Sequence, residues 1–306
     1  MGVPTHCGQT IENNWGRATA LLSTVVDSGV EALRRGSIGL MRIDNSKSPI
    51  IWNIAPYVLP AVIMVAIFDV FPGIIAAVLS LFDITFFSGG EFVGFQNYVT
   101  AFSDPAFYGS LGISVLFTAG SVLTTVALAL ALALALDRMG SYGVLLLSVI
   151  LVPWIISRIA AALLWRWILD ASQAGLLNHM LSWFGVGPIP FLSEPAPAMA
   201  ALIAVAVWRT LGYALILVFA GLKNIPNQIL NAARVDGARP WYKFVHVILP
   251  LIRHPMLVVL SVLTMSYFNE IGVIIGLTNG GPLNATTTLS YLVFREGFIT
   301  YNTGYA

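Results

Sequence analysis

Five stretches of this chain stay apolar for about 20 residues or more, the length a helix needs to cross roughly 30 Å of hydrocarbon. They run about 54–81, 111–136, 144–169, 198–222 and 255–277. The second contains "VALALALALAL", which has no polar face, and a helix apolar all round suits lipid. Lipid offers no water to unpaired backbone groups, so such runs must be helical. The alternation of a transmembrane barrel is absent. The expected fold is therefore all-α, a polytopic bundle of transmembrane helices over residues 51–306, preceded by a tail over 1–50. Composition agrees: 58% of the 306 residues are hydrophobic and 9% charged, against roughly 25% charged in soluble domains.

Several function classes drop out. A net charge of +1 gives no clustered basic surface for nucleic acid. The single cysteine, Cys7, cannot form an internal disulfide, and no Cys/His grouping has metal-ligand spacing. A phosphate-binding P-loop needs Gly-Lys followed by Ser or Thr, and no Gly-Lys dipeptide occurs. Any energy source must therefore be another chain. His6, His179, His246 and His254 are scattered and form no catalytic set, so an enzyme is not expected. The first residues lack the basic-then-apolar pattern of a cleaved signal, so the mature and translated chains are expected to coincide.

Basic residues orient the spans. Arg17, Arg34, Arg35, Arg42 and Lys47 precede the first, Arg138 follows the second, and Lys223, Arg234, Arg239, Lys243 and Arg253 separate the fourth from the fifth. The alternate loops, 82–110 and 170–197, contain no Lys or Arg. The N-terminus and the loop 223–254 are thus expected on the cytoplasmic side.

That loop reads "NAARVDGARPWYKFVHVILP" over 231–250. Pro226 suits a helix start, Gly237 a left-handed helix end, and Pro240 a second start. Trp241, Phe244 and Val245 stand at i, i+3, i+4 and form an apolar stripe, and Pro250 is expected to close the helix. Two short helices at an angle, with small Ala232 and Ala233 before the bend, describe a docking knob; a solvated loop needs none of this.

The segment resembles the coupling loop of ABC importer permeases, whose pattern is E-A-A, three residues, Gly, then an apolar stretch ending near Leu-Pro. Here Asn231, Ala232, Ala233, Asp236, Gly237, Ala238, Trp241, Phe244, Leu249 and Pro250 hold those places. Asn231 replaces the glutamate, so no ion pair carries over to it. "FVGFQNYVTAFSDPAFYGSLGISVLFT", "LVPWIISRIAAALLWRWILD", "VWRTLGYALILVFAGLKNIP" and "LTNGGPLNATTTLSYLVFREGF" are similar to the carbohydrate-type branch, which includes the maltose and glycerol-3-phosphate importers. The resemblance covers about 55 to the end and leaves 1–48 unmatched. It implies a type I permease in a bacterial inner membrane, importing a sugar, polyol or sugar-phosphate-like solute by alternating access. It also implies a second homologous permease, a cytoplasmic ATPase dimer that uses ATP and Mg, and an extracytoplasmic solute-binding protein. This chain itself would bind no cofactor. An ion-coupled transporter or channel is the rival reading, and would leave the knob without a purpose.

Charges inside spans are costly and face protein or water. Arg166 and Arg209 are expected to snorkel from span ends. Asp69, before a kink at Pro72-Gly73, and Arg158, after Pro153, fit either an ion pair between spans or a role in the pathway. Asn269 and Glu270 are candidates for hydrogen-bonding a passing solute, or for packing against a partner chain. Trp154 and Tyr213 fit interface anchors or sugar-stacking surfaces, and Gly280, Gly281 and Pro282 an outer loop or gate. In the tail, Leu21, Leu22, Val25, Val26, Val30 and Leu33 approximate an apolar stripe, which suits an interfacial helix or a disordered tail. The last stretch, with Arg295 and Glu296, is too polar to cross lipid and is expected as a short helix on the outer surface. Permeases of this branch continue after "GYA" into one more span, so a sixth is expected to be missing.

Overall fold

The computed structural model describes residues 50–85, 90–172 and 174–306; the expected interfacial helix in the tail lies outside them. The chain divides at Gly73–Ile74 into two units. Helix α1 starts in the first, and comprises Ile50–Val65, a wide π turn over Ala66–Val70, and Phe71–Leu79. Its apolar part, Pro56–Leu79, is long enough to cross a membrane. The kink expected at Pro72 is instead absorbed by the wide turn just before it, where the Phe71 N–H reaches back to the Ala66 carbonyl. Proline both lacks an N–H and crowds the carbonyl four residues earlier, and an extra residue in the turn moves that carbonyl aside.

In the second unit, β1 (Phe82–Asp83) pairs antiparallel with β2 (Glu91–Phe92), and α2 (Gln96–Ser103) follows. Helix α3, Pro105–Asp137, begins six residues before the apolar run suggested. Asp104 caps it, its Oδ1 accepting the Ala106 N–H at 2.8 Å, and Pro105 takes the first helical position, where no N–H is needed. Helix α7, Pro195–Lys223, packs along α3. Their last turns are tied by Lys223 Nζ and Asp137 Oδ1 at 2.7 Å.

The "VALALALALAL" helix proves to have a face after all. Ser110, Ser114, Thr118, Ser121, Thr125, Ala129 and Ala133 are buried at helical spacing, and all seven are small. Small residues let helices approach closely where lipid supplies no hydrophobic drive. Around this stripe Phe117, Leu202, Leu215, Leu263, Tyr267 and Ile274 form the core.

The third apolar run is not one span-long helix. It breaks into α4 (Ser141–Ile155) and α5 (Arg158–Ile168), bent by 96°. Pro153 lies in the last turn of α4, and Ile156 and Ser157 leave the helical conformation. After α5 come α6 (Leu176–Ser182) and then α7. Helices α4 and α7 touch backbone to backbone. A Cβ on Gly212 would collide with the Ile150 carbonyl oxygen and stand 2.6 Å from the Leu151 Cα.

The fifth run is also divided. Helix α8 spans Asn227–Val235 and α9 spans Pro240–Leu251; α10 (Arg253–Phe268) follows α9 at a bend of 71°, and a separate short α11 covers Gly272–Leu277. By length and composition, three helices among the described residues could each cross a membrane, and five spans result if each bent pair counts as one.

The final segment forms α12, Leu289–Phe294, continued by a wide turn over Arg295–Ile299. It is helical as expected, but it does not simply lie on a surface: Thr286, Thr287, Thr288, Tyr291 and Leu292 are buried. The Leu289 N–H donates to Ser114 Oγ of α3 at 2.7 Å, and Ser290 Oγ donates to the Phe268 carbonyl. Beyond it, Tyr305 Oη donates to Asp104 Oδ2 at 2.9 Å. Burial, then the hydrogen bond to Asp104 and its charge, push the Tyr305 phenol up to about 12, so it remains a donor at neutral pH. Tyr305→Phe should cost about 1 kcal/mol, read as a small fall in the unfolding temperature of the purified chain.

Candidate functional site

The knob is built by ordinary helix-end chemistry. At the end of α8 the Asp236 N–H reaches the Ala232 carbonyl at 2.9 Å, and the Ala238 N–H reaches that of Ala233 at 3.0 Å. Gly237 between them has φ +71°. The second of these is the six-to-one closure that ends helices at a left-handed residue, a conformation that glycine takes most readily. Asn231, Ala232 and Ala233 lie in the last turns of α8, while Asp236, Gly237 and Ala238 make the bend.

Pro240 then opens α9. The Trp241 and Phe244 rings lie 5.6 Å apart, and Tyr242 stacks on His246 at 4.2 Å. Trp241 is 74% exposed and its neighbour Tyr242 56%; apolar groups exposed side by side mark interaction surfaces. The helix expected to close at Pro250 ends one residue beyond it, at Leu251. A second wide turn over Phe244–Ile248 precedes Pro250, as one precedes Pro72, and α9 continues through Leu249 and Pro250 to Leu251.

A second cluster forms where the broken helices meet. Helix ends carry unpaired backbone groups, and inside an apolar slab these need partners. At the end of α4 the Trp154 carbonyl accepts from Arg209 Nη1 at 3.3 Å. At the start of α11 the Val273 N–H donates to Glu270 Oε1 at 3.1 Å. Glu270 Oε2 lies 3.8 Å from Arg158 Nε, at the first position of α5, with Glu270 only 4% exposed and Arg158 48%. Of the readings left open for Arg158, an ion pair is present, and it is with Glu270. Trp154 and Tyr213 are stacked, with centroids 5.1 Å apart. Tyr267 Oη lies 2.6 Å from Thr125 Oγ1 beside them in the core. Asn269 stands apart from its neighbour: its Nδ2 turns back to the Met265 carbonyl.

Arg209 corrects an expectation. It does not snorkel from a span end; it is the middle residue of α7, 8% exposed, and its Nε has no partner among the described residues. Gly280, Gly281 and Pro282 form a pinned loop. Gly281–Pro282 is cis and Gly280 has φ +80°. Thr287 Oγ1 donates to the Gly280 carbonyl at 3.0 Å and Thr286 Oγ1 to that of Gly281 at 2.7 Å.

Comparison with known proteins places these features in a family. Residues 113–305 match the family described as binding-protein-dependent transport system inner membrane component. The trehalose/maltose transport system permease protein MalF of Thermococcus litoralis is 34% identical over 249 residues, covering 81% of this chain and 82% of that protein. The sn-glycerol-3-phosphate transport system permease protein UgpA of Agrobacterium fabrum is 32% identical over 256 residues, covering 82% and 87%. Among solved structures, a bacterial ABC transporter importing the acidic polysaccharide alginate matches with a TM-score of 0.69 at 26% identity, covering 83% of this chain and 88% of that one. The matched residues take in most of α3 and everything from α4 to α12, with the knob, the broken helices and the pinned loop. The chain belongs to the binding-protein-dependent ABC importer permeases, the inner membrane components of such transport systems.

Proposed function

We propose that this permease imports a sugar, polyol or sugar-phosphate-like solute by alternating access, with its N-terminus and knob on the cytoplasmic side. It works beside a second homologous permease, and a cytoplasmic ATPase dimer that binds ATP and Mg receives the knob. An extracytoplasmic solute-binding protein delivers the solute. The relatives named for trehalose/maltose and sn-glycerol-3-phosphate support that solute class, and an alginate importer has been seen with its substrate-bound periplasmic protein. The observation that carries the reading is the knob, two helices held at a glycine bend with Trp241 left exposed.

The chain offers a mechanical path. Closure of the ATPase dimer displaces α9, whose last turn leads through Ile252 into α10. Asn269 and Glu270 follow the far end of α10, and Glu270 meets Arg158 at the α4–α5 break. Motion at the knob thus reaches the polar groups assigned to the solute path, and Gly280, Gly281 and Pro282 border the outer end as the candidate gate.

The test separates backbone shape from contact. Gly237→Val adds a β-branched side chain at a left-handed position, where strain is roughly 1–2 kcal/mol or more. Uptake by the assembled importer should fall about tenfold or further, on that same energy scale, while the amount of inserted chain is unchanged. Gly237→Asn, which tolerates that conformation, should retain most activity. Wild-type uptake and normal ATPase co-purification in the valine variant would sink the docking role.

A further inference from the structure

A cavity of about 320 Å³ lies between the last turns of α3 and α7 and the inner side of the knob. Its apolar walls are Leu134, Leu222, Ile225, Leu230, Phe244 and Ile248. The volume is at the lower end of ligand-sized pockets, roughly 300–1,000 Å³. Walls of this kind give water few hydrogen-bond partners. The charged residues lining it are Asp137, Arg138 and Lys243, and Asp137 is already engaged by Lys223 at 2.7 Å. Two cations and one carboxylate that is already engaged thus line the cavity.

The height of this cavity narrows the choice of occupant. Arg138 directly follows the last turn of the "VALALALALAL" helix, so the cations stand where the apolar slab gives way to headgroups. Molecules at that level are lipids, and basic pockets at helix ends favour the acidic ones. We propose that this cavity holds the headgroup end of one acidic phospholipid, its phosphate facing Arg138 and Lys243 and its first methylenes against Leu134, Leu230 and Phe244. The lipid then forms part of the surface against which the knob is seated. This goes beyond transport and does not depend on which solute is carried.

The test uses the full chain assembled with its partner subunits. It is placed in nanodiscs of phosphatidylcholine, or of equal parts phosphatidylcholine and phosphatidylglycerol, then released for native mass spectrometry. One phosphatidylglycerol should stay with the chain, and phosphatidylcholine should not. The Arg138→Gln/Lys243→Gln pair should lower retention about thirty-fold, taking each cation near a headgroup at its usual weight. Leu230→Trp fills the cavity from the knob and Leu134→Phe from α3; both keep every cation and both should lose the lipid, with size-exclusion profiles confirming that the variants are folded. Lys243→Arg should keep it, and excess inorganic phosphate should not displace it. Equal retention of the two lipids, displacement by phosphate, or full retention in both folded filling variants would each overturn the proposal.

Discussion

Gly212→Leu is expected to yield almost no folded permease. The α4–α7 crossing leaves no room for a side chain: its first atom would meet the Ile150 carbonyl oxygen and the Leu151 Cα, both backbone. Flexible side chains can turn away from an intruder, whereas a carbonyl held in a helix cannot. Overpacking costs typically 1–3 kcal/mol and sometimes more, and a backbone clash belongs at the upper end, about 3 kcal/mol or above. The two helices would separate, taking Trp154 away from its stack with Tyr213 and from Arg209. Yield after detergent extraction and thermal unfolding of the purified chain measure this. Gly109→Ala is the control, since nothing lies within 4 Å of a Cβ there. A Gly212→Leu chain as abundant and heat-resistant as that control would show that the crossing is looser than described.

The next largest effect should come from Glu270→Ala. It removes the acceptor for the Val273 N–H and the counter-charge of Arg158 together. Breaking a buried pair from one side costs roughly 3–5 kcal/mol; because Arg158 is half exposed, about 2–3 kcal/mol is the better expectation. Glu270→Gln retains the acceptor and loses only the charge, so it should be milder. Adding Arg158→Ala to Glu270→Ala should cost less than the two single changes combined, because the second removes a charge already left unpaired. The measurement is unfolding of the purified complex for the full cycle, with solute uptake alongside. Additive stability losses would mean the 3.8 Å contact contributes nothing, and wild-type uptake in Glu270→Ala would remove it from the solute path.

Local rules gave a good account of the knob. A glycine after "AARVD", a proline after "GAR" and aromatic spacing each act within a few residues, and the helix–bend–helix followed from them. What escaped were features set by neighbours across the bundle. Hydropathy reports a summed preference for lipid, and so it hid the small-residue stripe of α3, where Ser114 and Ala129 score unlike one another yet pack alike. It also joined α4 to α5 and α10 to α11, since a short break inside an apolar slab leaves composition nearly unchanged. Arg209 was misplaced for a reason the numbering could have caught: it stands near the centre of its apolar run, where a side chain cannot reach either interface. Pairing of Glu270 with Arg158 brings together residues 112 positions apart, and no single-chain pattern marks such a partner.

The wide turns before Pro72 and Pro250 set a counting rule for anyone exchanging parts between permeases. Each carries one residue more than an ordinary helical turn would, and each residue of helix rotates the following faces by about 100°. A transplanted knob that matches every contact but lacks the extra residue within Phe244–Ile248 would deliver α10 out of phase. Met256, Val259, Leu263 and Tyr267, now turned inward, would be swung a quarter-turn or more toward lipid. Chimeras should therefore be aligned by rotational phase through Pro250, not by the best match of the exposed aromatic residues.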